Sequence, residues 1–386
     1  MFNIFEQFKT WYLKNRDQFL TLFSKTQKEE ILPERPLTEL PLEIRQRLLK
    51  TTQSLPSPPA ELEVVQNKVN SALEWWRSQP SVAANSLVIF SSPVEPGAIL
   101  LNKSIEAWAS KHQTPIQILQ WQQRPADPTS IKKKIQTQLG LGSLTTSQQQ
   151  EIVVIPQLSR CFLRCVEGLG GIEYLRDTIL QNRSRFWLIG SSQICWDYLD
   201  YLCKVKAYFE QSLRLPALSG EQLQEWLAPV VSELNINFGK RFLKLELSEE
   251  DESSQRRYFD RLAAVSDGLS RVAVELFWQS LCYEESSEET TNPHGKVTTT
   301  NPSLPDLLDL TADEQYLLYS LLLHTELTLP HLALSLGDDQ TLVQHQVQVL
   351  RQKGIINRQE QLLQVNPIHY PRLRAELDNN NFLING

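Results

Sequence analysis

SLVIFSSPVEPGA, residues 86–98, is the stretch on which the reading of the fold turns. Its first six residues are an apolar run bounded by serines, the pattern of a short strand buried on both faces. The following residues carry two prolines and a glycine, which break regular structure and form a loop. Ala98 to Lys111 then has helical periodicity. Strand, loop and helix make one β-α unit, and the chain repeats it. Further strand runs are Pro115–Trp121, Glu151–Leu158, Arg185–Ser191 and Gln211–Leu215, with helical stretches at Ile131–Leu139, Gly171–Asn182 and Cys195–Lys204 between them. Five strands alternating with helices predict an α/β fold with a mostly parallel sheet covered by helices.

This order of strands, followed by LPALSGEQLQEWL (residues 215–227), resembles the P-loop core of AAA+ and STAND-type ATPases. In that family the fifth strand runs into a helix that opens a helical lid, and a winged helix commonly follows. The likeness covers residues 86–386. Ser219 with Gln222 three residues on reads independently as a capping box starting the lid helix.

The phosphate-binding residues that this resemblance implies are missing. A P-loop, G-x-x-x-x-G-K-[ST], needs glycine amides to cradle phosphate, a lysine to reach the β/γ oxygens and a hydroxyl for magnesium. Gly97 stands where the lysine belongs and Ala98 where the hydroxyl belongs. Glu95 would place an anion beside the phosphates, and Pro93 and Pro96 remove amide donors. Ser91, Ser92 and Gly97 are then a vestige of the loop. The third strand ends in Pro156, Gln157 and Leu158 where carboxylates for metal and water belong. Ser191, Ser192 and Gln193 fill the place of a polar sensor, and Arg183 and Arg185 read as a solvated loop. The expectation is a chain that is not an enzyme and takes no cofactor and no metal, with an atypical, weak NTPase as the outlying alternative.

Other chemistry finds no motif. The six histidines form no H-E-x-x-H, there is no G-x-S-x-G, and the five cysteines lack zinc-ligand spacing. Cys161 and Cys165 share a face if CFLRC is helical, and pack. A net charge of -7 argues against general nucleic-acid binding.

The N-terminus is amphipathic. Phe5, Phe8, Trp11, Tyr12 and Phe19 recur at spacings of three and four with lysine and arginine interleaved, a face suited to the chain's own core, to a partner or to a membrane surface. No run is long enough to span a bilayer and no signal peptide is evident, so the chain reads as cytoplasmic, with peripheral membrane association as the second reading. The organisation expected is an amphipathic helix at 1–26, a linker at 27–59 with one short helix near Leu42–Thr51, a degenerate P-loop-like core at 60–245 and a helical lid at 246–283. A second linker at 284–304 and a winged helix at 305–386 follow.

That last unit is read from its own residues. Thr311 to Glu314 is a capping box opening a helix, Pro330 starts a second, and a third runs to a stop at Gly354. Ile355–Asn357 and Leu362–Val365 flank a polar turn, and the whole looks like the winged helix of MarR-type regulators. Gln344, Gln348, Arg351, Lys353 and Arg358 are the candidate partner or DNA contacts. With five basic residues against ten acidic ones in 305–386, the helix is poorly charged for phosphate. A regulatory or adaptor protein with an unidentified protein partner is the reading preferred over a DNA-binding regulator.

Overall fold

In a computed structural model of the protein, the residues described are 37–38, 40–79, 84–112, 114–121, 123–141, 151–209, 211–238, 251–284 and 296–383. The amphipathic segment 1–26, with Phe5, Phe8, Trp11, Tyr12 and Phe19, lies outside them.

The alternation read from the sequence is built by β2 (Ser86–Ser91), α3 (Gly97–His112), β3 (Ile116–Ile118), α4 (Ser130–Leu141), β4 (Glu151–Ile155), α5 (Gly170–Gln181), β5 (Arg185–Ser192), α6 (Gln193–Cys203) and β6 (Ser212–Arg214). The strands form one parallel sheet in the order β3-β4-β5-β2-β6, with Ser86 to Ser91 in register with Trp187 to Ser192. The chain starts near the middle, steps to one edge, returns, and crosses to the other side of β2.

Successive strand residues point to opposite faces, and here both faces are covered. Leu87, Ile89, Ile152, Val154, Phe186 and Leu188 pack under α3 and α2 (Pro59–Ser78), whose Val65, Val69, Leu73 and Trp76 are fully buried. Val88, Phe90, Val153, Ile155, Trp187 and Ile189 face the other way, into the larger core beneath α4, α5 and α6. Trp76 meets Phe186 with ring centroids 5.5 Å apart and donates from Nε1 to the Arg183 carbonyl at 3.3 Å.

Beyond β6, Ser219 and Gln222 make both bonds of the capping box that opens α7 (Gly220–Leu234). Helices α1 (Leu42–Ser54), α7, α8 (Asp251–Val265) and α9 (Ser270–Ser280) form a helical layer beside the sheet. Gly268 precedes α9 with φ +65°, a conformation that a side chain rarely adopts, and an added Cβ would come within 2.7 Å of the Leu218 nitrogen. The stretches read as linkers contribute to a sheet: β1 (Leu37–Thr38) pairs with β7 (Leu281–Glu284), which pairs with β8 (Lys296–Thr299), all antiparallel. Local polarity hides this, because one apolar residue in two is enough for such strands.

The C-terminal unit comprises α10 (Ala312–His324), β9 (Leu327–Thr328), α11 (Leu329–Leu336), α12 (Gln340–Gln352), β10 (Ile356–Gln359), β11 (Leu362–Val365) and α13 (Tyr370–Asn379). Thr311 and Glu314 form the second capping box, and the strands make an antiparallel sheet in the order β10-β11-β9. Phe382 packs near Tyr316 and Tyr319, with ring centroids 6.4 and 6.2 Å away.

Two local readings are corrected. Cys161 and Cys165 share no helix, because a single 3-10 turn ends at Cys161. Arg185 is no loop residue: it begins β5, is buried, and pairs through Nε with Glu151 on the adjacent strand at 2.9 Å. Sequence spacing cannot show a partner that only strand pairing supplies.

Candidate functional site

In a parallel sheet the loops at the carboxyl ends of the strands gather on one edge, and a cleft forms where the strand order reverses. Here β2 lies between β5 and β6, and the loops after β2, β4 and β5 line a cavity of about 210 Å³. Ser91, Ser92 and Gly97 all reach it, so the three residues read as a vestigial loop are brought together. Thr325, Glu326 and Gln364 of the C-terminal unit close its far side.

The loop after β2 carries its own carboxyl group. Part of Glu95 reaches solvent, but its carboxyl lies inside, where it accepts from Ser270 Oγ at 2.6 Å and from the Arg271 backbone nitrogen at 3.1 Å. Those donors are the first two residues of α9, whose N-terminal amides favour negative charge. Burial still pushes the Glu95 carboxyl above its ordinary range, against these hydrogen bonds and the Arg271 charge. Beside it Glu61 of α2 is pushed up to about 8 by burial and by Glu95. Glu275, one turn along α9, is raised to about 7 by burial, with its Oε1 3.8 Å from Arg271 Nε. Glu95 and Glu275 thus share the charge of one guanidinium, with Glu61 beside Glu95.

After β4 the corresponding positions are used for packing. Gln157 accepts from Arg160 Nε at 2.9 Å, and Arg160 also donates to the Trp121 carbonyl and pairs with Glu326. Among the described residues no cluster of three His, Cys, Asp or Glu side chains could hold a metal ion. After β5, Ser192 caps α6 by accepting from the Cys195 nitrogen at 3.1 Å, while Gln193 bridges Asp197 and Arg214. The side chains read as a sensor therefore hold helix and strand together.

Three arginines seat the C-terminal unit on this edge. Arg124 donates to the carbonyls of Ser159 (2.6 Å), Phe162 (3.3 Å), His324 (3.4 Å) and Glu326 (2.9 Å). Arg160 reaches Glu326. Arg164 donates to Ser320 Oγ and the Ser335 carbonyl and lies over the Tyr316 ring, 4.2 Å from its centroid. Between the clamped His324 and Glu326, Thr325 is held at φ +67° and ψ -46°, uncommon for a β-branched residue. Sequence reasoning missed these arginines, as it missed Glu61, Ser270 and Glu275, since none of them belongs to a local motif.

The candidate contact residues of the C-terminal unit lie elsewhere. Gln344, Gln348 and Arg358 are exposed and Arg351 is half-buried. Lys353 is engaged by Glu314, Nζ to Oε1 at 2.8 Å, and Arg358 Nε donates to the Glu360 carbonyl of its own turn. These five residues do not converge on the cleft.

Strand order, the loop after β2 and the cleft at the strand ends define an α/β protein with a P-loop NTPase-like fold. No protein-family model matches the sequence, and no curated protein matches it. Among solved structures, the chain is similar to the Thermotoga maritima RuvB Holliday junction branch migration motor, at 16% identity and a TM-score of 0.34, covering 84% of this chain and 96% of that one. It is similar to Cdc6p from Pyrobaculum aerophilum at 13% identity and a TM-score of 0.36, covering 94% and 98% of the two chains. The Aeropyrum pernix ORC2 protein, solved in ADPNP-ADP complexes, aligns at 14% identity with a TM-score of 0.37 over 84% and 94%. The expectation that the chain is not an enzyme does not stand against this finding, since a motor and a nucleotide-bound protein are among its structural neighbours. Among the described residues no helix is long and apolar enough to cross a membrane.

Proposed function

We propose that this P-loop NTPase-like chain is an AAA+/STAND-like regulatory or adaptor protein that acts through protein contacts of a C-terminal winged helix, residues 305–386. In this reading the core at 60–245 and the lid at 246–283 form the platform that carries it. The observation that supports it is the seating of the C-terminal unit: Arg124, Arg160 and Arg164 hold it to the edge where loop chemistry is usually placed. A unit held at fixed orientation presents one face reproducibly to a partner.

That face fits protein better than DNA. Leu342 and Val349, two turns apart on α12, are 51% and 43% exposed, and Leu334 of α11 is 46% exposed. Nucleic-acid affinity rests on neutralising phosphates, and the cations here are few: Lys353 is committed to Glu314 and the unit carries twice as many acids as bases. The partner is therefore a protein surface with an apolar patch.

A benzoylphenylalanine placed at Val349 tests this by photocrosslinking in the producing cell. The expected result is one discrete protein adduct, lost when Leu342→Glu is added. Absence of an adduct, together with duplex DNA binding by anisotropy that weakens in Gln348→Ala, would replace this reading with a DNA-binding regulator.

A further inference from the structure

Thr325 and Glu326 alone join α10 to β9, and so short a link forces an unusual backbone. Thr325 sits at φ +67° and ψ -46°, close to the γ-turn that is rare because it strains the chain. A glycine meets such a turn easily, whereas a β-branched side chain crowds its own backbone there. Strain of this kind persists only where contacts fix the chain on both sides of it.

Those contacts come from the core. The His324 carbonyl accepts from Ser159 Oγ at 3.2 Å and from Arg124 Nη2 at 3.4 Å, and its ring Nε2 accepts from the Arg164 backbone nitrogen at 3.2 Å. The Glu326 carbonyl accepts from Arg124 Nη1 at 2.9 Å, and the Glu326 carboxylate pairs with Arg160. This last tie lies at the cavity. Arg160, Thr325 and Glu326 all line it, together with Ser91, Gln157 and Ser192. A guanidinium at a cavity wall is a strong partner for a carboxylate or a phosphoryl group. Here the chain's own carboxylate occupies it.

The surroundings make that carboxylate replaceable. Burial, and then the charge of Arg160, lower Arg124 to about 10, and Glu326 is the acid that opposes this. An oxyanion in place of the Glu326 carboxylate would meet the same cations. It would also have an advantage over Glu326, because a free ligand imposes no conformation on the chain. With the carboxylate displaced, Thr325 can return to a negative φ.

We propose that the cavity holds an oxyanion site centred on Arg160, that Glu326 fills it in the resting chain, and that the strained turn at Thr325 lets a carboxylate or phosphoryl ligand displace Glu326. The step exchanges ion-pair partners: Glu326 leaves Arg160 for solvent and a ligand oxygen takes its place, with no covalent bond made or broken. The site differs from a phosphate loop, in which backbone amides after the first strand cradle the anion. Here a side chain in the segment after β4 receives it. The proposal does not depend on which partner the C-terminal unit meets.

Inorganic phosphate and acetate, each titrated into the full chain at constant ionic strength and followed by the amide shifts of Thr325, Glu326 and Leu327 in two-dimensional NMR, test it. Saturable shifts are expected, weak in the wild type because the tethered Glu326 competes at an effective concentration on the order of millimolar. Glu326→Gln leaves an uncharged competitor and should tighten binding roughly tenfold. Thr325→Gly removes the strain that displacement relieves. That loss outweighs the freedom a glycine gains once the turn is released, so binding should weaken roughly fivefold. Thr325→Val keeps the β-branch and should match the wild type. Saturation by one probe alone assigns the ligand as phosphoryl or as carboxylate, and saturation by both leaves the site open to either; each upholds the proposal. No saturable shift in Glu326→Gln, an affinity in that variant no tighter than the wild type's, or a Thr325→Gly affinity equal to or above the wild type's overturns it.

Discussion

Arg124 donates from Nη1 to the Glu326 carbonyl at 2.9 Å, linking positions 202 residues apart across the seam between the α/β core and the C-terminal unit. The same guanidinium satisfies the carbonyls of Ser159, Phe162 and His324, so one side chain holds backbone on both sides. Arg124→Ala leaves several carbonyls without a donor. Hydrogen bonds to a charged group contribute about 1.5–3 kcal/mol each, with partial overlap, so a loss of about 3 kcal/mol is expected. In calorimetry the C-terminal unit should then melt in a separate, earlier transition. Arg124→Lys should recover only part, because an ammonium cannot match the planar fork.

Trp76 anchors α2 to the sheet. It is fully buried against Phe186 and its indole N–H reaches the Arg183 carbonyl. Trp76→Ala should cost about 3–5 kcal/mol, measured as a lower denaturant midpoint. Trp76→Phe should cost less, since it fills most of the space and loses mainly the hydrogen bond.

Buried histidines tie stability to acid. Burial and the neighbouring Arg372 depress His369 to about 4, and burial holds His324 well below 6.5. Their folded pKa values lie below the unfolded value, so the unfolded chain binds protons first. Their contribution is complete above pH 6.5 and is lost as pH falls toward 4. Glu61 and Glu275 shift upward and favour the folded state as pH falls, so the wild-type profile mixes both signs. The difference between wild type and His369→Asn isolates the histidine. Relative to its value at pH 7.5, wild-type stability should decline against the variant by about 3 kcal/mol on reaching pH 4, read from urea midpoints.

The two capping boxes offer a paired test. Ser219 opens α7 and Thr311 opens α10, each with both reciprocal bonds in place. Ser219→Ala and Thr311→Ala should each destabilise by about 1 kcal/mol. The two sites are in separate units, so the double mutant should be additive, with chemical denaturation as the measure.

What the sequence determined by itself was whatever depends on residues a few positions apart. The alternation of Leu87 and Ile89 against Val88 and Phe90, the helix that follows, and the boxes at Ser219 with Gln222 and Thr311 with Glu314 were all legible, because period and capping are local geometry. The departures of Glu95, Gly97 and Ala98 from a phosphate loop were legible for the same reason. What Glu95 does instead was not, since its donors lie on α9, brought there by the packing of the helical layer on the sheet. The same holds for Arg185 with Glu151, for Lys353 with Glu314, and for Arg124 with the carbonyls of His324 and Glu326. A charged side chain carries no periodicity that names its partner. Only the tertiary structure decides which opposite charge or open carbonyl stands within hydrogen-bond reach, because burial makes that pairing obligatory without making it local.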